Sequence, residues 1–300
     1  MNPSLSSNSL HLGIDLGGSS IKAVAVTTEG DLLEQRSIPF EDRDRQWAHR
    51  IRDLVFEFRQ TRGWPVSLGL SAPGLASREG RSIAHMPGRL IGLEGLDWAR
   101  FLESPHPIPV LNDAHAALLG EAWVGAARGL RNVFMLTLGT GVGGAAMVDG
   151  HLLCGHLGRA GHLGHITLDQ RAPLDDVGTP GSLEMAIGNK TVSARSQGRY
   201  SSTEALVRDA RGGDRQAREL WQASVASLAV GINSLINVLD PEAVILGGGI
   251  AKAGPHLWEP LRQALEPLEW RPLGSQVPLI PAALGDLAGA YGAARHAMHS

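Results

Sequence analysis

The sequence predicts an α/β fold of two similar lobes with mixed sheets, and three observations predict it. Apolar runs of strand length alternate with stretches of helical periodicity along most of the chain. Glycine, at 38 of 300 residues, is nearly twice its usual share of about 7%, and it clusters directly after apolar runs: Gly17-Gly18, Gly139-x-Gly141-x-Gly143-Gly144 and Gly247-Gly248-Gly249. Finally, IDLGGSSIKA at 14–23 and LTLGTGVGGA at 136–145 share one layout of apolar strand, Leu-Gly, glycine turn and second strand. They align without gaps, Gly17 on Gly139 and Ala23 on Ala145, and a two-residue deletion then places Gly30-Asp31-Leu32-Leu33 on Gly150-His151-Leu152-Leu153. A chain duplicated in this way is expected to form two lobes facing each other across a cleft, a common place for a ligand. The expected boundary is at 113, with a smaller lobe over 1–113 and a larger one over 114–300.

Taken in order, residues 1–9 are polar and read as disordered, and HLGIDL, IKAVAVT and DLLEQRSIP then read as three strands of a meander. Trp47, Ile51, Leu54, Val55 and Phe58 recur at helical spacing within 44–61, giving an amphipathic helix to pack on that sheet. VSLGLS and IPVLN are further short strands, the second leading into the helical run AHAALLGEAWVGAA. A second meander begins at NVFMLTL and GGAAMV. The stretch from Gly150 to Gly188, rich in glycine and histidine and with little periodicity, is too long for a plain connection and is a candidate functional loop. Helical patterns dominate Thr203 to Leu239 with a break at Gly212-Gly213, AVILGGG is a buried strand ending in a turn, and DLAGAYGAARHAM is a closing helix of small residues.

Composition excludes several classes. With 27 Lys and Arg against 30 Asp and Glu, the formal charge is −3 and neither end carries a block of like charge, so no grip on nucleic acid is expected. The single cysteine, Cys154, cannot form an internal disulfide, and MNPSLSSNSL lacks the build of a signal peptide, so a cytoplasmic protein is expected. No apolar run reaches the length of about 18 residues that a membrane span needs. The longest, Ala223 to Leu239, is interrupted by Ser224, Ser227, Asn233, Ser234 and Asn237, so no membrane partner is expected.

The strand ends carry the chemistry. Gly17 and Gly18 bare backbone N–H groups to an anion, with Ser19 and Ser20 as hydroxyl donors, or they serve a tight hairpin; the duplicate loop favours phosphate. No Gly-Lys-Ser/Thr ends either loop and a strand follows each, so neither is a Walker A motif nor a dinucleotide fingerprint. Asp15 either meets magnesium on a bound triphosphate through water or caps a turn. Asn112-Asp113, between a strand and a helix, offers a general base toward a hydroxyl or a helix N-cap, and the pair can do both. Gly247-Gly248-Gly249 passes close to a flat ring or a phosphate, or turns the chain from strand to helix. His151, Cys154, His156, His162 and His165, with Asp169, Asp175 and Asp176 in reserve, are metal-ligand types, but their irregular spacing favours polar contacts to a small ligand.

Together these segments resemble the ROK family of sugar kinases and related repressors, in the actin-like ATPase superfamily, over about residues 10–297. GIDLGGSSIK resembles the family's first phosphate motif, with Ser19 where threonine is usual, and SLGLSAPG resembles its strand ending in Pro73-Gly74. LNDAHAALLGE resembles the Asn-Asp-Ala motif, TLGTGVGGA the second phosphate motif, and AVILGGGI with LGDLAGAYGAA the nucleotide-side segments. The resemblance implies two actin-like (ribonuclease H-like) α/β lobes with mixed sheets flanking a central cleft. A C-terminal helix near 286–300 would pack back on the first lobe, and the second would carry the nucleotide-side segments and a homodimer surface. It implies transfer of the γ-phosphate of ATP, with magnesium, to a hydroxyl of a hexose or hexose derivative. By the same resemblance Asp113 is the base, and Asn112, Gly74, His162, His165 and Glu184 contact the sugar. Asp15, Gly17, Gly18, Ser19, Lys22, Thr140, Gly141, Gly248 and Gly249 would hold ATP, with magnesium near Asp15.

The chain departs from the family's pattern at three places. His162-Leu163-Gly164-His165 stands where Glu-x-Gly-His is common, exchanging an anionic acceptor for an imidazole. Asp175-Asp176-Val177-Gly178-Thr179-Pro180-Gly181-Ser182-Leu183-Glu184 stands at the zinc motif Cys-x-Cys-Gly-x-x-Gly-Cys-x-Glu and lacks all three cysteines, so no structural zinc is expected. Met86-Pro87-Gly88-Arg89-Leu90 replaces the usual Pro-Asn-Leu. Two other classes compete with the kinase: a non-catalytic sugar sensor or regulator, and a phosphohydrolase of the same superfamily. Only about ten residues precede the first strand, against a DNA-binding repressor, and the lack of basic clusters speaks against a long polyphosphate substrate.

Overall fold

The duplicated strand pairs head two five-stranded mixed sheets. A computed structural model describes residues 9–300, so all but Ser9 of the polar stretch 1–9 lies outside the described residues. In the first half β1 (His11–Leu16), β2 (Ser20–Val26) and β3 (Leu32–Pro39) form the expected meander, α1 (Gln46–Arg62) crosses over to β4 (Ser67–Ala72), and a small ladder pairs β5 (Leu75–Ala76) with β6 (Ile83–His85). A short α2 (Trp98–Phe101) leads to β7 (Val110–Asn112) and α3 (Asp113–Val124). The sheet order is β3-β2-β1-β4-β7. Tight turns make the meander antiparallel, while crossovers make β1–β4 and β4–β7 parallel. The predicted stripe of α1 is buried with Leu12, Ile14, Trp98 and Val110 in one core. β3 carries Glu34, Gln35 and Arg36 along an exposed edge, which blunts it against further pairing.

The second half repeats the pattern with β8 (Val133–Leu138), β9 (Val142–Val148) and β10 (His151–Leu152). After the irregular stretch come α4 (Leu183–Ile187), α5 (Val192–Arg195), α6 (Thr203–Arg211), α7 (Arg215–Leu239), β11 (Ala243–Gly247), α8 (Pro255–Leu265) and β12 (Leu279–Pro281), in a sheet ordered β10-β9-β8-β11-β12. The break at Gly212-Gly213 separates α6 from α7, and Asp214 caps α7 by accepting from Ala217 N–H at 2.8 Å. By length and composition α7 would suit a membrane, yet Trp221, Val225, Leu228, Ala229, Ile232 and Leu235 are buried as core side chains.

The chain closes with α9 (Ala288–Ala297), which packs on β1, β4 and α3. Small residues let backbone meet backbone there: a Cβ on Gly13 would lie 1.9 Å from Ala290 O, one on Gly69 2.1 Å from Ala293 O, and one on Gly292 1.7 Å from Ala116 O. Two compact units result, one ending at Gly129 and taking in Leu152–Ala160 and Ala283–Ser300, the other made of Leu130–His151 and Gly161–Ala282. The break therefore falls after Gly129 and not at the expected 113, because α3 packs along α9 and stays with the sheet it follows. Glu121 of α3, fully buried, fastens the chain near the first and last of its four crossings: its carboxylate accepts from Ala126 N at 2.7 Å, Ala283 N at 3.1 Å and Leu284 N at 2.8 Å.

The α9 seam leaves no room for a methyl group. Gly292→Ala is expected to cost about 2 kcal/mol by overpacking, read as a lower urea midpoint at unchanged slope; an unchanged midpoint would show the seam to be slack.

Candidate active site

In the first unit β1 delivers Asp15 and then turns at Gly17-Gly18-Ser19, with Gly17 N–H donating to Ser20 O at 3.0 Å. Both glycines lie outside the positive-φ region, so the turn does not need them for its dihedral angles. What Gly18 provides is bare surface: Arg89 lies on it, Nη2 donating to Gly18 O at 2.8 Å, and a Cβ on Gly18 would sit 2.9 Å from that nitrogen. A guanidinium held on a glycine turn adds charge to backbone donors, which suits a phosphate. Sequence reasoning passed over Arg89, whose only signal was the altered 86–90 segment.

Asp15 is wedged beneath α9, where a Cβ on Gly289 would lie 2.7 Å from its Cγ. Ser71 Oγ donates to Oδ1 at 2.5 Å, and Lys22 stands opposite on the β1–β2 ladder. Burial pushes the carboxyl up to about 6; Ser71 and Lys22 pull against that, while the charges of Asp113 and Asp286 add to it.

The helix-cap reading of Asn112-Asp113 is realised. Asn112 is the cap, its Oδ1 accepting from Ala114 N at 3.0 Å and His115 N at 3.2 Å, while Nδ2 donates to Gly74 O at 3.0 Å and Asp113 Oδ1 at 2.9 Å. Those four bonds use the full capacity of its amide. The amide of Asn112, a residue expected to contact the sugar, is engaged within the protein here, and Asp113 Oδ1 also accepts from Ala114 N at 2.8 Å. Gly74 has φ +101°, and a Cβ there would lie 2.6 Å from His85 O, so its carbonyl reaches Asn112 only because it is glycine.

In the second unit the β8–β9 turn is wrapped from outside. Asn189 N–H donates to Gly139 O at 3.0 Å and Lys190 N–H to Thr140 O at 2.9 Å, leaving the Thr140 side chain exposed. Glu184 lies against this loop: it accepts from Val142 N at 2.9 Å, pairs with Lys190 Nζ, and stands where a Cβ on Gly141 would fall. Its observed partners are thus the loop and Lys190. Gly248 combines φ +86° with a Cβ position 2.4 Å from Leu138 O, so it meets the end of β8, whereas Gly249 has open space beside it and leads into the turn Ile250–Ala253. His162 is half-buried ahead of the 3-10 turn Leu163–His165, and Gly164 holds that turn flat on Val142. His165 Nδ1 lies 2.8 Å from Asp175 Oδ2.

The histidine and cysteine set considered for a metal is divided: Cys154 and His156 fall in the first unit, where His115 Nε2 meets Ala160 O at 3.0 Å, while His151, His162 and His165 fall in the second. Among the described residues no group of three or more His, Cys, Asp or Glu is placed to hold a metal ion. Asp15 fits magnesium that arrives on a nucleotide and is met through water, since burial and, after it, the charges of Asp113 and Asp286 raise its proton affinity, and a cation would favour its ionised form.

The ROK family model matches residues 11–299. The chain belongs to the ROK family. A glucokinase of Halalkalibacterium halodurans is 30% identical, the match covering 94% of this chain and 93% of that one. A ROK hexokinase of Thermus thermophilus superposes with a TM-score of 0.84 at 30% identity, covering 96% of this chain and 98% of its own. A ROK family glucokinase from Streptomyces griseus, in complex with glucose and AMPPNP, superposes with a TM-score of 0.79 at 26% identity, covering 97% and 100%. The units of this ROK protein are therefore actin-like α/β lobes, as the resemblance implied.

Asp15 supplies a test of its own. Its folded-state pKa lies above the ordinary 3.8, so the folded chain binds the extra proton between there and about 6, and stability is lost as pH rises through that window. Asp15→Asn stays neutral and is expected to be more stable than wild type at neutral pH by up to about 3 kcal/mol, the gap closing below pH of about 4. A gap independent of pH in chemical denaturation would refute the buried-charge account.

Proposed function

We propose that this ROK protein is an ATP-dependent kinase of a hexose or hexose derivative. The relatives named glucokinase and hexokinase support a sugar kinase, and the AMPPNP complex of the Streptomyces protein supports ATP as donor. The observation that carries the reading is the Gly74–Asn112–Asp113 chain. The Nδ2 end of a buried amide holds the Asp113 carboxylate at the start of α3 while its Oδ1 end caps the helix, and the charge of Asp113 is felt at Asp15, just before the glycine turn that bears an arginine.

In this reading Asp113 accepts the proton of the attacked hydroxyl as its oxygen bonds to the γ-phosphorus and the bridging bond to ADP breaks. Gly17, Gly18, Ser19 and Lys22, joined by Arg89, and Thr140 with Gly141 bind phosphate oxygens. Gly248 and Gly249 line the nucleotide, and Gly74, His162, His165 and Glu184 serve the sugar. Magnesium held near Asp15 would neutralise phosphate charge. A cytoplasmic homodimer completes the proposal.

ADP release with Mg-ATP across hexoses and N-acetylhexosamines tests it. Sugar-dependent release is expected; phosphate release without an acceptor would favour a hydrolase, and sugar binding without release a sensor. Asp113→Asn is expected to lower kcat by about a thousandfold or more while leaving ATP affinity and fold unchanged. Near-wild-type turnover would exclude it as the base. Arg89→Met is expected to raise KM for ATP by about tenfold and KM for sugar far less; equal effects on both would place Arg89 outside the phosphate site.

A further inference from the structure

The irregular stretch of the second unit is organised around one carboxylate. Asp175 sits in a tight loop closed by the Leu174–Pro180 bridge, with Asp175 N–H donating to Thr179 O at 2.9 Å and Gly178 N–H to Asp175 O at 3.0 Å. Its side chain is wholly buried and turned inward: Oδ1 accepts from Val177 N at 3.1 Å and Thr179 N at 2.8 Å, and Oδ2 meets His165 Nδ1 at 2.8 Å. Among the described residues no lysine or arginine pairs with it; the Lys190 ammonium is engaged by Asp176 and Glu184. Burial alone would favour the neutral acid, but bonds from His165, Thr179, Ser182 and Val177 outweigh it and hold the carboxyl below the ordinary range.

An ionised carboxylate only accepts hydrogen bonds, so the proton between the two residues belongs to His165 Nδ1. A neutral imidazole protonated at Nδ1 carries its lone pair at Nε2. The imidazole is 29% exposed, and none of the hydrogen bonds among the described residues involves its Nε2. We propose that Asp175 sets the polarity of His165, fixing Nε2 as an acceptor that requires a donating hydroxyl on the sugar. Asp175 is then a positioning residue for specificity, a role that rests on the sugar-binding reading given above. It also gives the 175–184 segment a physical centre made of hydrogen bonds, at the place where the family's cysteines are missing.

Asp175→Asn separates this role from loop maintenance. The Asn oxygen still accepts from Val177 and Thr179, but its NH2 faces Nδ1, which must become the acceptor and move the ring proton to Nε2. In the ligand-free protein labelled with 15N-histidine, His165 is expected as the Nδ1–H tautomer, inverting in Asp175→Asn. A wild-type Nε2–H tautomer, readable even if the variant is unstable, or an inversion that fails in folded variant, would overturn the assignment. Calorimetric binding of D-glucose and its 2-, 3- and 4-deoxyfluoro analogues reads specificity without turnover, so failure of the kinase reading stays distinguishable. Fluorine accepts but does not donate. Wild type is expected to bind at least one analogue about tenfold or more weakly than glucose, and Asp175→Asn to lose most of that difference. Unchanged discrimination, glucose that does not bind at all, or a variant in which every ligand weakens together with thermal stability would leave Asp175 a loop residue only.

Discussion

The first unit depends on the direct meeting of backbones between α9 and the elements it covers. Helix and sheet normally keep side chains between them; here Gly13, Gly69 and Gly292 remove that layer, and carbonyl oxygens of one element occupy the places where the other would have carried Cβ atoms. Close approach forfeits apolar side-chain area and gains dense van der Waals contact in return. It also positions charge. With Gly289 lying on Asp15, and α3 held along α9 by the contact of Gly292 with Ala116, the carboxyls of Asp15 and Asp113 are fixed near enough to raise the proton affinity of Asp15. A looser seam would let water between them and relax the electrostatics of the site.

The second unit reaches order by a different route. Its irregular stretch has little apolar periodicity, and polar groups do the organising: Asp175 gathers loop N–H groups and His165, Glu184 and Lys190 brace the glycine turn, and Asn189 and Lys190 cover that turn's carbonyls. The carboxylates of Asp175 and Glu184 each take backbone N–H groups as well as a side-chain partner, which places the loop to within hydrogen-bond tolerance. Both units thus give their glycine turn a basic residue, Arg89 in one and Lys190 in the other. One comes from a loop far along the chain, the other from the segment after α4.

What was legible in the sequence is what leaves a periodic or positional trace. The two meanders, the stripe of α1 and the break between α6 and α7 follow from apolar spacing and glycine placement, and the two aligned loops exposed the duplication. The remainder concerns contacts that residue types do not encode. Arg89 reaches a carbonyl 71 positions away, and any residue offers a carbonyl. The cap at Asn112 was legible from residue type, but its amide bonds to Gly74 and Asp113 were not. Asp175 showed only as a reserve ligand type and as a missing cysteine, and the break at 113 looked natural because a strand-to-helix turn resembles a boundary; packing of α3 on α9, not local pattern, moved it to Gly129.

Glu121 has a bearing on how the chain reaches this state. Its single carboxylate holds the approach to the first exit from the unit, at Ala126, and the point of return, at Ala283 and Leu284. Topologically the residues between are largely an insertion whose ends are tied at one knot. Once α3 and α9 have docked, the entropy of closing that long loop has already been spent. The residues between then order with their two ends already held side by side, so they need not bear that closure cost themselves.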